Sequence, residues 1–376
     1  MKPLLTAALI VRDEEAVLEE CLTSIGRVAD EIIVVDTGSR DSSGEIALRC
    51  GARLLHHPWE DNFAEARNMG LDHANGDWVL CIDADERLED SNRAHMDEIL
   101  RGSDAAGFRV LLHPLVRASA YLEYRIWRND PSIRFEGIIH ETVVPGIIAL
   151  AEREGRTIPT TDLVIRHLGY EGDQRAKHLR NLPMLRREVV RNPTNIFVRH
   201  HLFRVFAGLG RYDEADAALT AALEAVQDGE RRGMVDERGI LVYRDVIRRR
   251  GDGEDAEELL AHALSLYPDN CALLVLDARR LITQERYDEA IRRADRVLEI
   301  VARGEPSVVA YDLRLLGETP HALKALCLFR LERYRESADE YAGAAELAPD
   351  EMSYRVKREV AAGRAGRWRG RSPTSS

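Results

Sequence analysis

Three carboxylates follow directly after a buried strand candidate near residue 80. Residues 78–82 (WVLCI) form a short run of bulky apolar side chains, which is typical of a buried strand and not of a surface helix. The run ends in Asp83, Asp85 and Glu86. Carboxylates at the exit of a buried strand are costly unless a cation neutralises them. A divalent metal that also binds phosphate is the candidate, because hard cations prefer oxygen ligands and share them with phosphates.

A second candidate is Arg67, on a helix predicted over residues 62–74. Its guanidinium presents a fixed fork of donors that suits a phosphate. Neither GxGxxG nor GxxxxGK[ST] occurs in the chain, so a phosphate needs another anchor, and a metal on Asp83 and Asp85 together with Arg67 would supply one. The alternative is a solvated helix face on which Arg67 pairs with nearby acids.

Alternating strands and helices must position these side chains. The pattern predicts strands at 4–11, 32–35, 52–57 and 78–82, with helices at 14–28, 41–50 and 62–74 between them. Such an order predicts a largely parallel sheet that places ligands outside the carboxyl ends of its strands. Polar residues follow three of those ends: 12–15, Asp36 and 83–86. The strands expected after residue 107 are partly antiparallel and include 108–116, 121–130 and the segment around 140–142.

The composition excludes several classes of protein. A net charge of −12 argues against non-specific binding to nucleic acid, which needs a basic surface. No apolar run reaches the roughly 20 residues of a membrane span. Five scattered cysteines without a CxxC pair indicate free thiols, and hence a cytoplasmic location. The apolar start reads as the first strand and not as a signal peptide, because charged residues follow it at once.

Four segments together resemble a known family. ALIVRDEE, DEIIVVDTGSRDSS, WEDNFAEARNMGL and WVLCIDADE occur in the order found in inverting, nucleotide-sugar-dependent glycosyltransferases of family 2, which have the GT-A fold. The resemblance covers residues 5–90 closely and continues loosely through 133–143 and 163–173. It implies an α/β protein whose first domain, 1–173, is a GT-A (Rossmann-like) mixed sheet. It also implies a hexosyltransferase that takes its donor, most commonly a UDP-sugar, with Mn²⁺ or Mg²⁺.

The resemblance implies a role for each matching residue. The donor nucleotide and diphosphate would contact residues at the ends of the first, second and fourth strands and on the third helix: Ile10, Val11, Arg12, Glu14, Asp36, Arg67, Asp83, Ala84 and Asp85. Asp83 and Asp85 correspond to the D-x-D pair. His167 would complete the metal site, with a buried structural histidine as the alternative. For Asp36 the alternative is an aspartate that caps the turn after it.

Inverting transfer also requires a general base for the acceptor's nucleophile. Glu141, beside the apolar residues Ile138 and Ile139, is the first candidate, and His140 is its rival. His140 could instead contact the acceptor or a phosphate. An ordinary His-Glu pair at a strand edge remains the structural alternative.

The second half of the sequence predicts an all-α domain at 174–363. The strings GRYDEADAAL, ERYDEAIRRA and ERYRESADEY align without gaps, and a weaker copy begins at 251. Their matched positions (Ala215, Ala256, Ala290 and Ser337) are 41, 34 and 47 residues apart. They resemble tetratricopeptide repeats, whose period is 34 residues. Residues 364–376 form a basic Gly/Ser-rich tail, predicted to be disordered.

Three functions fit this organisation to different degrees. The first is metal-dependent transfer of a sugar to a peptide, a saccharide or a natural product, with the repeats binding the acceptor, bracing the sheet or mediating a homodimer. The second is an inactive transferase-like scaffold whose repeats bind a protein, but a dead domain has no need of the retained polar residues. The third, a nucleotidyltransferase, would carry a basic Gly-rich loop after the first strand, where this chain has RDEE.

Overall fold

A computed structural model describes residues 2–114, 118–169, 174–251, 253–304 and 311–368. These residues fall into two compact units. The first contains 2–114, 120–169 and 174–221, and the second contains 118–119, 222–251, 253–304 and 311–368. No helix in this part of the chain is both long and apolar enough to cross a bilayer.

One eight-stranded sheet forms the centre of the first unit. Its strands are β1 (Leu5–Val11), β2 (Glu31–Asp36), β3 (Arg53–His56), β4 (Trp78–Cys81), β5 (Glu86–Leu88), β6 (Gly107–Pro114), β7 (Tyr121–Arg128) and β8 (Thr160–His167). The order across the sheet is β3-β2-β1-β4-β7-β6-β8-β5. The first four strands are parallel to one another, whereas β7 runs antiparallel to both β4 and β6. The sheet is therefore mixed, as predicted.

Helices connect these strands and continue the chain after β8. In the first unit they are α1 (Leu18–Ile25), α2 (Ser43–Arg49), α3 (Phe63–Asp72), α4 (Arg93–Leu100), α5 (Val144–Glu154), α6 (Gln174–Arg191) and α7 (Ile196–Gly208). Every residue of β4 is buried, which fits a strand covered on both faces. Trp127 is 1% exposed and packs against Phe135 in the core.

The second half of the chain is helical, as predicted. Its helices are α8 (Tyr212–Arg231), α9 (Gly239–Arg250), α10 (Glu254–Leu266), α11 (Cys271–Thr283), α12 (Tyr287–Arg303), α13 (Leu313–Leu316), α14 (Glu318–Arg330), α15 (Tyr334–Leu347) and α16 (Met352–Trp368). Long helices pack against their neighbours in sequence, including α11 on α12, α14 on α15 and α15 on α16. This is the pairing that stacked helical repeats need to bury their apolar faces. The predicted fold class, a mixed α/β sheet followed by an all-α region, is confirmed.

Two expectations need correction. The segment around 140–142 is not a strand: it is an irregular loop closed by one bridge between Glu136 and Thr142. Positive φ angles at Gly137 (97°) and His140 (55°) are incompatible with an extended strand. The predicted tail also begins too early, because α16 continues to Trp368. Residues 369–376 lie outside the described part of the chain.

Candidate active site

The acidic turn after β4 is held by a buried ion pair. Glu86 is 2% exposed, and its carboxylate accepts the backbone N–H of Asp83 (2.8 Å) and a guanidinium N–H of Arg125 on β7 (2.7 Å). Burial raises the pKa of the Glu86 carboxyl, although Arg125 opposes this effect. Strand β7 therefore supplies the cation that fixes the geometry of the turn.

Arg67 connects the acidic turn to the predicted base. Its Nη2 donates to Asp83 Oδ1 (2.7 Å), and its Nε donates to Glu141 Oε1 (2.5 Å). The Arg67 side chain is 12% exposed, so it is not on a solvated helix face as the alternative supposed. Burial opposes ionisation of Asp83, but Arg67 and Arg125 outweigh it and lower the pKa of Asp83 to about 2.

The two candidate bases diverge in the structure. Glu141 is 10% exposed and faces Arg67. The ring of His140 instead packs on α7, 3.9 Å from the ring of His201 and 5.2 Å from that of Phe197 between centroids. Burial lowers the pKa of His140 to about 4. The two side chains thus face different ways, and only Glu141 joins the cluster around Asp83.

Strand pairing brings His167 beside Asp85. β5 and β8 are antiparallel, with Glu86 opposite His167, and His167 Nε2 lies 3.0 Å from Asp85 Oδ2. This hydrogen bond raises the pKa of His167. Two carboxylates and an imidazole suit Mn²⁺ or Mg²⁺ chemically. Within the described residues, however, no three such side chains already form a metal-binding group. In this arrangement Arg67 engages Asp83, and His167 Nε2, a metal-binding atom, faces Asp85.

The predicted nucleotide-binding residues lie at the ends of β1 and β2. The carbonyl of Val11 accepts the backbone N–H of Thr37 (3.0 Å), so the two strand ends are joined there. Asp36 is 6% exposed, and its Oδ1 accepts the N–H groups of Gly38 and Ser39 (3.0 and 2.8 Å). It therefore caps the turn, as the alternative reading had it, while Oδ2 lies 3.8 Å from Nδ1 of His56.

Glu14 lies in a polar cavity beside these strand ends. The cavity, of about 560 Å³, is lined by residues 13–17 and by Arg40 and Asp41. Burial, together with the charges of Asp85 and Asp83, raises the pKa of Glu14 to about 7. Arg12 is exposed, Ile10 is half-buried and Ala84 is buried. Whether these residues bind a nucleotide stays a prediction.

Two residues of the site were missed in the sequence. Arg125 had a signal, since Glu123 and Arg125 are charged residues on one face of a strand whose end is apolar (Ile126, Trp127). Glu188, on α6, accepts the backbone N–H of Ile138 (2.9 Å). No local pattern marks it, because it lies 50 residues further along the chain.

The first third of the chain matches a known protein family. Residues 6–136 match the model of glycosyl transferase family 2. The chain contains a family 2 glycosyltransferase domain. The prediction of this family from the four sequence segments is confirmed, and the match ends just before the loop that carries Glu141.

Several named relatives match part of the chain. A TPR repeat-containing protein of Synechococcus elongatus is 41% identical over 44% of this chain and 42% of its own length. The lipopolysaccharide core biosynthesis glycosyltransferase LpsC of Rhizobium meliloti is 33% identical over 38% of this chain and 57% of its own. Glycosyltransferase SunS of Bacillus subtilis is 26% identical over 37% of this chain and 34% of its own. The chain thus spans about a third to a little over half of these relatives.

Solved structures of glycosyltransferases are also similar to part of this chain. Glucosyl-3-phosphoglycerate synthase of Mycobacterium tuberculosis, solved with Mn²⁺ and UDP-glucose, aligns at a TM-score of 0.36 and 17% identity over 49% of this chain and 77% of that one. Staphylococcus aureus TarS (residues 1–349), solved with UDP, aligns at 0.36 and 15% identity over 61% of this chain and 92% of that one.

Proposed function

We propose that this protein transfers a sugar from a nucleotide-diphosphate sugar to an acceptor nucleophile, with inversion at the anomeric carbon. The observation that most supports this is the position of Arg67 between Asp83 and Glu141, at 2.7 and 2.5 Å. One cation thus joins the group expected at the leaving diphosphate to the group expected at the attacking nucleophile. A family 2 domain over residues 6–136 supports the same reaction class.

Each residue has a task in this reaction. Asp83, Asp85 and His167 would hold Mn²⁺ or Mg²⁺, which when bound stabilises negative charge on the diphosphate leaving group. The acceptor's nucleophile forms a bond to the anomeric carbon while the bond from that carbon to the diphosphate breaks. Glu141 accepts the proton that the nucleophile loses. Because Arg67 engages Oε1 of Glu141, we assign the proton to Oε2.

The donor and the acceptor are proposed by chemical class. A UDP-sugar is the donor expected from the family resemblance. A saccharide, a peptide and a natural product all remain acceptor classes, and similarity to a lipopolysaccharide core glycosyltransferase supports testing core saccharides first. A homodimer through the helical region and a cytoplasmic location stay predictions. All five cysteines are free thiols, which fits a reducing compartment.

The change Asp85→Ala tests the assignment. Nucleotide-sugars are first screened by thermal shift with Mn²⁺, and turnover of the best donor is then measured. Loss of a metal ligand should reduce turnover by at least about 100-fold, because metal stabilisation is worth several kcal/mol of barrier. The circular dichroism spectrum should not change.

Asp162→Ala is the matched control. Asp162 also faces a histidine at 3.0 Å, His95, but its side chain is 76% exposed and lies outside the cluster around Asp83. This variant should keep wild-type turnover. Full activity in Asp85→Ala would refute the metal assignment. A wild-type protein that responds to no nucleotide-sugar, yet binds a protein partner, would favour the scaffold alternative.

A further inference from the structure

Glu141 is carried by a short closed loop. The backbone N–H of Thr142 donates to the carbonyl of Glu136, and the N–H of Glu136 donates to the carbonyl of Thr142, both at 3.0 Å. Residues 137–141 lie between these two bonds and include the positive φ angles of Gly137 and His140. A loop without a regular ladder of hydrogen bonds needs other contacts to fix its side chains. The position of the Glu141 carboxylate therefore depends on what holds the loop.

One of those contacts comes from α3. The carbonyl of Ile138, in the middle of the loop, accepts the backbone N–H of Phe63, the first residue of α3, at 2.9 Å. This bond satisfies one of the amide groups that a helix N-terminus leaves without an internal partner. Arg67, one turn further along α3, then pairs with Glu141. The loop is thus bonded to α3 at Phe63 and again at Arg67, one helical turn later.

Another contact comes from α6. Glu188 is 3% exposed, and its Oε2 accepts the backbone N–H of Ile138 at 2.9 Å. Both backbone groups of Ile138 are therefore engaged, one by α3 and one by α6. The residue before it, Arg187, donates through Nη2 to the carbonyl of Asp61 (2.6 Å), two residues before α3 begins. Consecutive residues of α6 thus hold the loop and the start of the helix that carries Arg67.

Packing alone does not explain a glutamate at this position. The buried neighbours of Glu188 on α6 are Leu182, Met184 and Leu185, and a fourth apolar residue would continue that face. A carboxylate taken out of water is costly unless hydrogen bonds compensate for it. Here the compensating hydrogen bond comes from the backbone amide of Ile138 in the loop. A glutamate at position 188 can hold the loop backbone by accepting this hydrogen bond, which an apolar side chain could not do.

We propose that Glu188 is a positioning residue for Glu141, and that α6 thereby helps to form the active site of the first compact unit. The inference rests on the proposed function, since Glu141 is the base in that reaction. Glu188 does not touch the substrate. It acts by fixing the N–H of Ile138, three residues before Glu141, and thereby the direction from which the base approaches the nucleophile.

The full-length protein is compared with Glu188→Ala and Glu188→Gln. The alanine variant removes the acceptor for the Ile138 amide, whereas the glutamine variant keeps an oxygen acceptor of nearly the same shape. We expect Glu188→Ala to lower kcat about 100-fold, the cost of a displaced catalytic group, with little change in KM for the donor. Glu188→Gln should recover most of kcat. Glu152→Ala, at an exposed glutamate of α5, is the matched control and should behave as wild type.

Hydrogen exchange at the Ile138 amide gives a readout that does not depend on activity. This amide should exchange slowly in the wild type and in Glu188→Gln, and quickly in Glu188→Ala. An unchanged kcat in Glu188→Ala would overturn the proposal. So would equal losses in the alanine and glutamine variants with kcat and donor KM both affected, because they would indicate general destabilisation.

Failure of the proposed function is distinguishable from failure of this inference. If the wild type transfers no sugar from any nucleotide-sugar, the proposed function fails, and the exchange measurement still decides the role of Glu188. Fast exchange of the Ile138 amide in Glu188→Ala then supports the positioning contact. Slow exchange in that variant overturns it.

Discussion

Arg67 satisfies three different partners with one guanidinium. Besides its two carboxylates, it donates through Nη1 to the sulfur of Cys81 (3.3 Å), the last residue of β4. Arginine can do this because its donors are fixed in a plane and its charge is permanent, whereas lysine offers a compact point charge. A single side chain therefore contacts the end of β4, the acidic turn after it and the loop at 136–142 that carries the proposed base (called the base loop below). A conservative change to lysine would not preserve this arrangement.

The change Glu141→Gln separates the role of base from that of Arg67 partner. Glutamine keeps an oxygen that can accept from Arg67 Nε but cannot take a proton from the nucleophile. We expect kcat to fall by about 10²–10⁴-fold, the usual worth of general-base catalysis. The affinity for the donor, measured by titration calorimetry, should change little. A main effect on donor affinity would mean that Glu141 is not the base.

His140→Asn provides the comparison for the rival base. Asparagine tolerates the positive φ of 55° at this position, so the loop backbone is retained. Because the His140 ring packs on α7 and does not join the cluster around Asp83, we expect a smaller loss of kcat than in Glu141→Gln. A larger loss would move the catalytic role to His140.

At the scale of elements, the sequence predicted the strands that carry the site and missed the loop opposite them. β1 to β4 form from short apolar runs that end in polar residues, a signal contained in each segment. Residues 136–142 lack such a signal. Their shape depends on Phe63, on Glu188 and on the rings of α7, all distant in sequence. The local sequence pattern therefore could not distinguish this loop from a strand.

Only some residues of the candidate site could likewise be predicted from the sequence. Asp83 and Asp85 were identifiable because a strand end is visible in sequence. The proximity of His167 to Asp85 depends on the register between β5 and β8, and it was named only from the family resemblance. The bridge from Asp83 through Arg67 to Glu141 joins three separate segments, so it could be seen only in three dimensions.

The contact between the base loop and α7 predicts a pH dependence of stability. Burial lowers the pKa of His140 to about 4 and that of His201 to about 3, whereas unfolded histidines titrate near 6.5. Between these values the unfolded chain binds more protons, so the free energy of unfolding falls as the pH is lowered from about 7 to about 4. The loss is at most about 1.4 kcal/mol per pH unit for each histidine.

His201→Phe should remove one of these two contributions. Phenylalanine keeps an aromatic ring against His140 and Phe197 but has no proton to gain. The difference between the free energies of unfolding in urea at pH 7 and pH 5 should shrink by up to about 2 kcal/mol. His56→Phe, which replaces a histidine with a 74% exposed side chain, should leave that difference unchanged. An equal difference in wild type and His201→Phe would show that His201 is not buried in a neutral form.

At the scale of the whole molecule, the repeat pattern is reproduced by burial. The four matched positions of the repeats are at most 1% exposed: Ala215, Ala256, Ala290 and Ser337. The Ser337 hydroxyl donates to the carbonyl of Ala325 on the preceding helix (2.8 Å). Small residues at these places let paired helices approach closely, which explains why the sequence repeats there.

The helices do not all belong with the repeats. α6, α7 and the first half of α8 fall in the compact unit that contains the sheet, which extends to residue 221. The boundary predicted at 173/174 coincides with the change from strand to helix. Whether it also separates independently folding domains stays a prediction, and the contacts of α6 with the base loop argue that it does not.

Two fragments of the chain test where the transferase unit ends. Residues 1–231 retain α6, α7 and all of α8, whereas residues 1–173 lack Glu188 and the α7 rings that face His140. Because the shorter fragment exposes the loop at 136–142 and loses buried apolar contacts of α6, we expect it to melt at a lower temperature and with less cooperativity by circular dichroism. It should also lose protection of the Ile138 amide, which the longer fragment keeps. Equal melting and equal protection in the two fragments would place the boundary at 173 after all, and would leave the helices after it with no part in forming the site.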